Sequence, residues 1–258
     1  MVLFQLVCLI FLPLAYAVQI RLNRETIVLA PMIFIASWIG EATSVHFYEF
    51  YIYPEHWWFR VAGVPLMVPV IWPLVILSGR EVVRALWPGN PRREALLVGA
   101  MVFIDAALIE VVAVNCGLWH WTQPGYLNVP LIGVLGWAFF GYTVALLLNR
   151  WEGPKRWWVI VAAPVILHLM LVSSWWVLFR WVLRGNWFWL FVAVLAVFTL
   201  AVLAVRNIHR MSMRIAGVRL IAAGIFIGLL LFAEPTAWRV WLHVGLTSIP
   251  YALATEFY

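Results

Sequence analysis

Charge is what this chain has least of. Asp, Glu, Lys and Arg make up only 11% of its 258 residues, where a soluble domain carries roughly a quarter, so a water-facing globule is excluded. Cysteine is scarce too. Cys8 and Cys116 are the only two, with neither metal nor redox spacing, and both are expected to be buried thiols. No long linker, low-complexity tract or soluble domain breaks the sequence, so residues 1–258 read as one integral membrane domain. No Lys or Arg precedes the first apolar run, which argues against "PLAYAVQ" (13–19) as a signal-cleavage site. Cleavage there would also leave Arg21 and Arg24 on the wrong side, so this run reads as a retained first helix.

What fills the chain is apolar. Hydrophobic residues are 66% of it and the mean hydropathy is +0.97. Apolar runs recur at about 2–20, 26–48, 61–78, 95–118, 126–148, 157–179, 186–205 and 215–233. Each is close to the ~20 residues that cross a bilayer core. The expectation is an all-α polytopic membrane helix bundle of about eight transmembrane helices. Residues 237–254 are a candidate ninth, weakened by His243 and Pro250. Most of the 17 basic residues fall after helices 1, 3, 5 and 7. They include Arg21 and Arg24; Arg80, Arg84, Arg92 and Arg93; Arg150, Lys155 and Arg156; and Arg206, Arg210, Arg214 and Arg219. The positive-inside rule makes that side cytoplasmic and the N-terminus external, in an inner or plasma membrane. The net charge of +6 then serves orientation and contact with anionic membrane lipids, and nucleic acid is a poor partner.

Two stretches resemble each other. "GVPLMVPVIW" (63–72) and "NVPLIGVLGW" (128–137) share Val, Pro, Leu and Trp at the second, third, fourth and tenth positions. Each opens a helix after an aromatic loop, and each loop follows a helix bearing an outer carboxyl. Glu41 lies 24 residues before Pro65, and Glu110 lies 20 before Pro130. Helices 2–3 and 4–5 thus read as parallel copies of one hairpin, an arrangement that often places a site at the repeat interface. Val-Pro-Leu is also a common way to begin a helix, since Pro is tolerated in the first turn.

The acids sort by position. Glu25, Glu81, Glu94 and Glu152 sit among arginines and are expected to be solvated, and Glu234 marks the outer end of helix 8. Asp105, Glu110 and Glu41 fall inside apolar runs, where a charge costs ~2.5–3.5 kcal/mol even on the lenient scale. Such a group pairs with a base or stays protonated, and no Lys or Arg lies at comparable depth in helices 2, 4 or 5. The internal bases there are His46 and, in helix 6, His168. Asp105 and Glu110 are about 140° apart around one helix, so they face different walls. His46 and Glu49 could pair at the outer rim, but one such pair is weak as a metal motif, and no metal site is expected. His120, between Trp119 and Trp121, reads as interfacial, as do most of the 18 tryptophans.

An acid in a dry, aromatic-lined pocket suits chemistry that passes through a carbocation. Protonating a trisubstituted alkene gives a tertiary cation, which Trp and Tyr faces stabilise by cation–π attraction. The substrate would be a lipophilic polyene or isoprenoid reached from the bilayer. The ordered set "GVPLMVPVIW", "IDAALIEVVAVNCGLWHW" and "GYLNVPLIGVLGWAFFGY" resembles the membrane carotenoid biosynthesis proteins that include bisanhydrobacterioruberin-type hydratases. The likeness covers residues 41–142, about 40% of the chain. Val111 follows Glu110 where the family pattern has Pro, and Gly133 or a neighbour stands where it often has Asn.

That resemblance implies water addition to a terminal double bond of an acyclic carotenoid, without a redox or other cofactor. It casts Glu110 as proton donor and Asp105 or Glu41 as the water-orienting base. Trp119, Trp121 and Trp137 would face the cation and polyene, with Asn128, His46 and Tyr126 as further substrate-binding candidates. Other carotenoid-pathway enzymes are candidate partners. Three alternatives stand beside it: a membrane carotenoid cyclase using the same cation, a proton-coupled small-molecule transporter, and a non-catalytic pathway scaffold.

Overall fold

Proline, glycine and asparagine set where the helices begin and end. The computed structural model describes residues 2–123, 125–176, 213–234 and 236–254. The helices are α1 (Val2–Leu22), α2 (Thr26–His46), α3 (Met67–Leu86), α4 (Pro91–Asn115), α5 (Leu131–Arg150), α6 (Val159–Val172), α7 (Met213–Ala233) and α8 (Trp238–Ala254). A 3-10 helix at Gly153–Trp158 leads into α6. Four two-residue strands complete the described elements: β1 (Tyr51–Ile52), β2 (Arg60–Val61), β3 (Val64–Pro65) and β4 (His120–Trp121). The described residues form an all-α bundle, and five helical stretches among them are long and apolar enough to cross a membrane. They are α1, α2, α4, α5 and the run Gly153–Trp176. The expected run at 186–205 lies outside the described residues.

Two expected starts move. The third run begins at Met67 and not at 61, because Arg60–Val61 and Val64–Pro65 pair as a hairpin. Ala62 and Gly63 between them have φ of 48° and 74°, the double left-handed geometry of a tight two-residue turn. The fifth begins at Leu131 and not at 126, for the same reason. Leu127 and Asn128 have φ of 48° and 66°, and Tyr126 bridges to Val129. The start of α4 is a cap. Asn90 Oδ1 accepts from the N–H groups of Arg92 and Arg93 at 2.9 and 3.2 Å, with Pro91 in the first turn. A ninth-run helix forms at Trp238–Ala254 despite Pro250. His243 Nε2 meets the Ala107 carbonyl at 2.7 Å, which ties α8 to α4.

Helix α4 is the axis of the bundle. Of its most apolar window 83% is buried, against 28% for α1, as expected for a helix apolar on every side. In lipid no hydrophobic force drives helices together, and close backbone approach at small residues takes over. At the α4–α5 interface a Cβ on Gly99 would stand 2.9 Å from Tyr142 Cβ, and one on Gly141 would stand 2.7 Å from Val102 Cγ2. A larger residue at either position forces its neighbour to shift.

Polar groups gather at one end. Arg80, 4% exposed, reaches Glu94 at 3.1 Å and Asn149 at 2.6 Å, and Arg84 shares Glu94 at 3.1 Å. Glu94 is thus largely enclosed by arginines and not freely solvated as its position suggested. Asn23 bonds Glu81 at 2.9 Å, and Arg156 bonds Glu25 at 3.1 Å. The strands and the aromatic loops occupy the opposite end.

Candidate functional site

The loops after α2 and α4 are joined by a short ribbon. β1 pairs antiparallel with β4, Tyr51 opposite Trp121 and Ile52 opposite His120. Side chains alternate across a strand, so Ile52 and His120 turn outward and are exposed, while their neighbours turn toward the bundle. The inward rings meet in pairs, Tyr51 with Trp121 at 4.8 Å and Tyr53 with Trp119 at 6.1 Å between centroids. Two further anchors hold the first loop. Trp57 Nε1 donates to the Leu118 carbonyl at 2.7 Å, and buried Gln5 of α1 accepts from the Trp58 N–H at 2.8 Å.

Beneath the ribbon lie two carboxyls, 9% exposed at Glu41 and 2% at Glu110. Three indoles surround Glu110. Trp119 and Trp121 donate to Oε2 at 2.9 and 3.0 Å, and Trp137 donates to Oε1 at 2.7 Å. Glu41 also has three donors. Tyr53 donates to Oε2 at 2.9 Å, Tyr51 donates to the same oxygen, and Trp72 Nε1 donates to Oε1 at 2.9 Å. A carboxylate offers about four acceptor positions, so each has roughly one left for a substrate, a water or a proton. Burial first, and the neighbouring acids second, push the Tyr51 and Tyr53 phenols well above the ordinary tyrosine range, so both are hydroxyls at neutral pH.

The two halves use the same parts. The left-handed pair Ala62-Gly63 precedes Trp72 as Leu127-Asn128 precedes Trp137. Aromatics in or next to a ribbon strand follow Glu41 at Tyr51 and Tyr53, and follow Glu110 at Trp119 and Trp121. The Trp72 and Trp137 rings meet in a tilted contact, 4.4 Å between centroids, where the halves join.

Both acids line one cavity of about 610 Å³, counting its open mouth, between α2, α3, α5 and α6. Ser37 and Ser44 add hydroxyls, and Leu167 and Leu171 of α6 form the apolar wall facing the acids. Among the described residues, no Lys, Arg or His lines this cavity. Such a site supplies proton exchange at a carboxyl, aromatic faces for a cation, and an apolar exterior.

Of the residues expected at a site, the structure brings together Glu41, Glu110, Trp119, Trp121 and Trp137. It does not bring Asp105 there. Asp105 pairs with Arg219 of α7, whose Nη1 also donates to the Val75 carbonyl and Ser78 Oγ at 3.1 Å each. Arg219, expected in a loop, stands inside α7, which supplies the base that helices 2, 4 and 5 lack. The pair lines a separate, mostly apolar cavity of about 730 Å³ between α1, α3, α4 and α7. His46 is also elsewhere. Its Nε2 meets the Ala62 carbonyl at 2.8 Å and braces the first turn. Asn128 belongs to the second turn and donates to Asn115 at 3.2 Å, while Asn115 holds the Leu127 carbonyl at 2.9 Å. Tyr126 bridges Val129 and sits beside the His243 ring at 5.5 Å.

Three site residues escaped the sequence: Tyr51, Tyr53 and Trp72. The repeat held the signal, since Trp72 matches Trp137 at the tenth position and the tyrosines follow Glu41 much as Trp119 and Trp121 follow Glu110.

No family model matches the chain, and comparison with curated proteins and with solved structures finds no significant match.

Proposed function

We propose that the protein is a membrane hydratase that adds water to a terminal double bond of an acyclic carotenoid or related isoprenoid. The observation that carries this reading is the pair of buried carboxyls, Glu41 and Glu110, each held by three donors in one aromatic cavity without a cation. The alkene π pair forms a C–H bond with a carboxyl proton and leaves a tertiary cation. The Trp72, Trp137 and Tyr51 rings and the remaining carboxylate stabilise that charge. Water then forms the C–O bond and returns a proton to the carboxylate. Nothing is oxidised or reduced, so the reaction as written uses no redox cofactor. A cavity of about 610 Å³ suits an end group, and the rest of the polyene extends into the bilayer.

In this reading the bundle has about eight spans, with the Arg-rich end cytoplasmic and the ribbon outside, and hairpins α2–α3 and α4–α5 are copies of one unit. The likeness of residues 41–142 to carotenoid hydratases supports the substrate class. Asp105 serves the bundle and not the chemistry. The test is expression beside an acyclic carotenoid pathway, followed by pigment analysis. Hydroxylated end groups support hydration. A ring without added oxygen assigns the cation to a cyclase, and unchanged pigment rejects both.

A further inference from the structure

Both carboxyls are buried, but they do not have equal partners. An indole N–H only donates, whereas a phenol hydroxyl donates or accepts as its hydrogen rotates. Trp119, Trp121 and Trp137 surround Glu110 with donors alone. A proton on Glu110 has only the one position that the three N–H donors leave open, and none of those donors can turn round to accept from it. Glu41 differs, because two of its three partners are the Tyr51 and Tyr53 hydroxyls. When Glu41 is protonated, one hydroxyl turns round and accepts, so no hydrogen bond is lost. A buried cavity lined by no cation among the described residues disfavours any charge, and two like charges still more, so at least one carboxyl stays protonated, and the partners decide which.

Resting on the hydratase reading, we propose that Glu41 is the exchangeable acid and Glu110 the permanent anion, with Tyr51 and Tyr53 as positioning residues that let Glu41 change state. This reverses the assignment expected from the sequence. The Glu41 proton passes to the alkene carbon, whose π pair becomes the C–H bond, and the O–H pair stays on Glu41 as carboxylate. Glu110 faces the resulting cation. Water adds through an oxygen lone pair, and the oxonium proton goes to Glu41, which restores the starting state. The other groups facing the pair are Trp72, Trp137, Ser37, Ser44 and the apolar α6 wall. None of them is a base.

Infrared spectroscopy of the full chain in detergent at neutral pH reads the assignment without requiring turnover. The expected result is one protonated-carboxyl C=O band, lost in Glu41→Gln and kept in Glu110→Gln. In the Tyr51→Phe/Tyr53→Phe variant that band shifts to higher frequency. Loss in Glu110→Gln, in both variants or in neither overturns the proposal. If Glu41→Gln does not fold, the tyrosine variant decides, and an unshifted band overturns it. The expected band pattern without hydrated pigment retires the hydratase reading and leaves the division between the carboxyls standing.

Discussion

Trp72 and Trp137 pack with ring centres 4.4 Å apart and planes tilted by 38°, yet each gives its N–H to a different buried carboxyl, Trp72 to Glu41 and Trp137 to Glu110. This ring contact is the seam between the two hairpins, and the acids share no common donor across it.

Trp137→Phe keeps the ring and removes the N–H. Leaving a buried acceptor short of a donor costs about 1–3 kcal/mol. The variant is expected to melt earlier in detergent and to lose most hydration product, whereas Trp158→Phe, at an exposed position, changes neither. Equal melting of Trp137→Phe and the parent protein would refute a role for that hydrogen bond.

The Asp105–Arg219 pair gives a test that separates architecture from chemistry. Arg219→Met removes the cation paired with buried Asp105 and is expected to cost roughly 3–5 kcal/mol, while Asp105→Leu/Arg219→Met recovers most of it. Because the pair lies outside the Glu41–Glu110 cavity, the double variant is expected to keep product end groups unchanged. Thermal melting and pigment analysis together check both halves of the statement.

A Cβ at Gly133 would run into the Trp121 indole, so Gly133→Ala is expected to displace one Glu110 donor and cut product yield. Gly141→Ala overpacks the α4–α5 interface against Val102 and is expected to cost about 1–3 kcal/mol, with folded protein still active. Ala62→Gly, exposed at φ 48°, relieves a left-handed alanine and is expected to be neutral or to stabilise by up to about 1 kcal/mol.

Alkali should weaken the protein through Tyr51 and Tyr53. Their folded pKa values lie above the ordinary 10.0, so between the two values the unfolded chain has lost protons that the folded one keeps. The stability they lend is complete below the unfolded value and falls as pH rises past about 10. Melting in detergent from neutral to alkaline pH is expected to show that decline, and Tyr51→Phe/Tyr53→Phe is expected to flatten it.

Much of the site was legible because lone acids in apolar runs have few benign explanations. Glu41 and Glu110 stood out for that reason, and Trp137 stood out through the shared tenth position. The ribbon was not legible, since two-residue strands are too short to show an alternating pattern. Nor was the fate of Asp105, whose partner lies 114 residues away on a helix whose first turns carry Arg214 and Arg219 and so read as a loop. Asn128 and Tyr126 were drawn toward the site by sequence proximity to Trp121 and Trp137. Left-handed backbone placed them in the turn that starts α5.

The pairing of Tyr51 with Trp121 has a mechanical consequence. One residue of that pair serves Glu41 and the other serves Glu110, so a tug on either outer loop reaches both acids in one movement. Trp72 and Trp137, carried on helices, stand outside that coupling, and each serves its own acid.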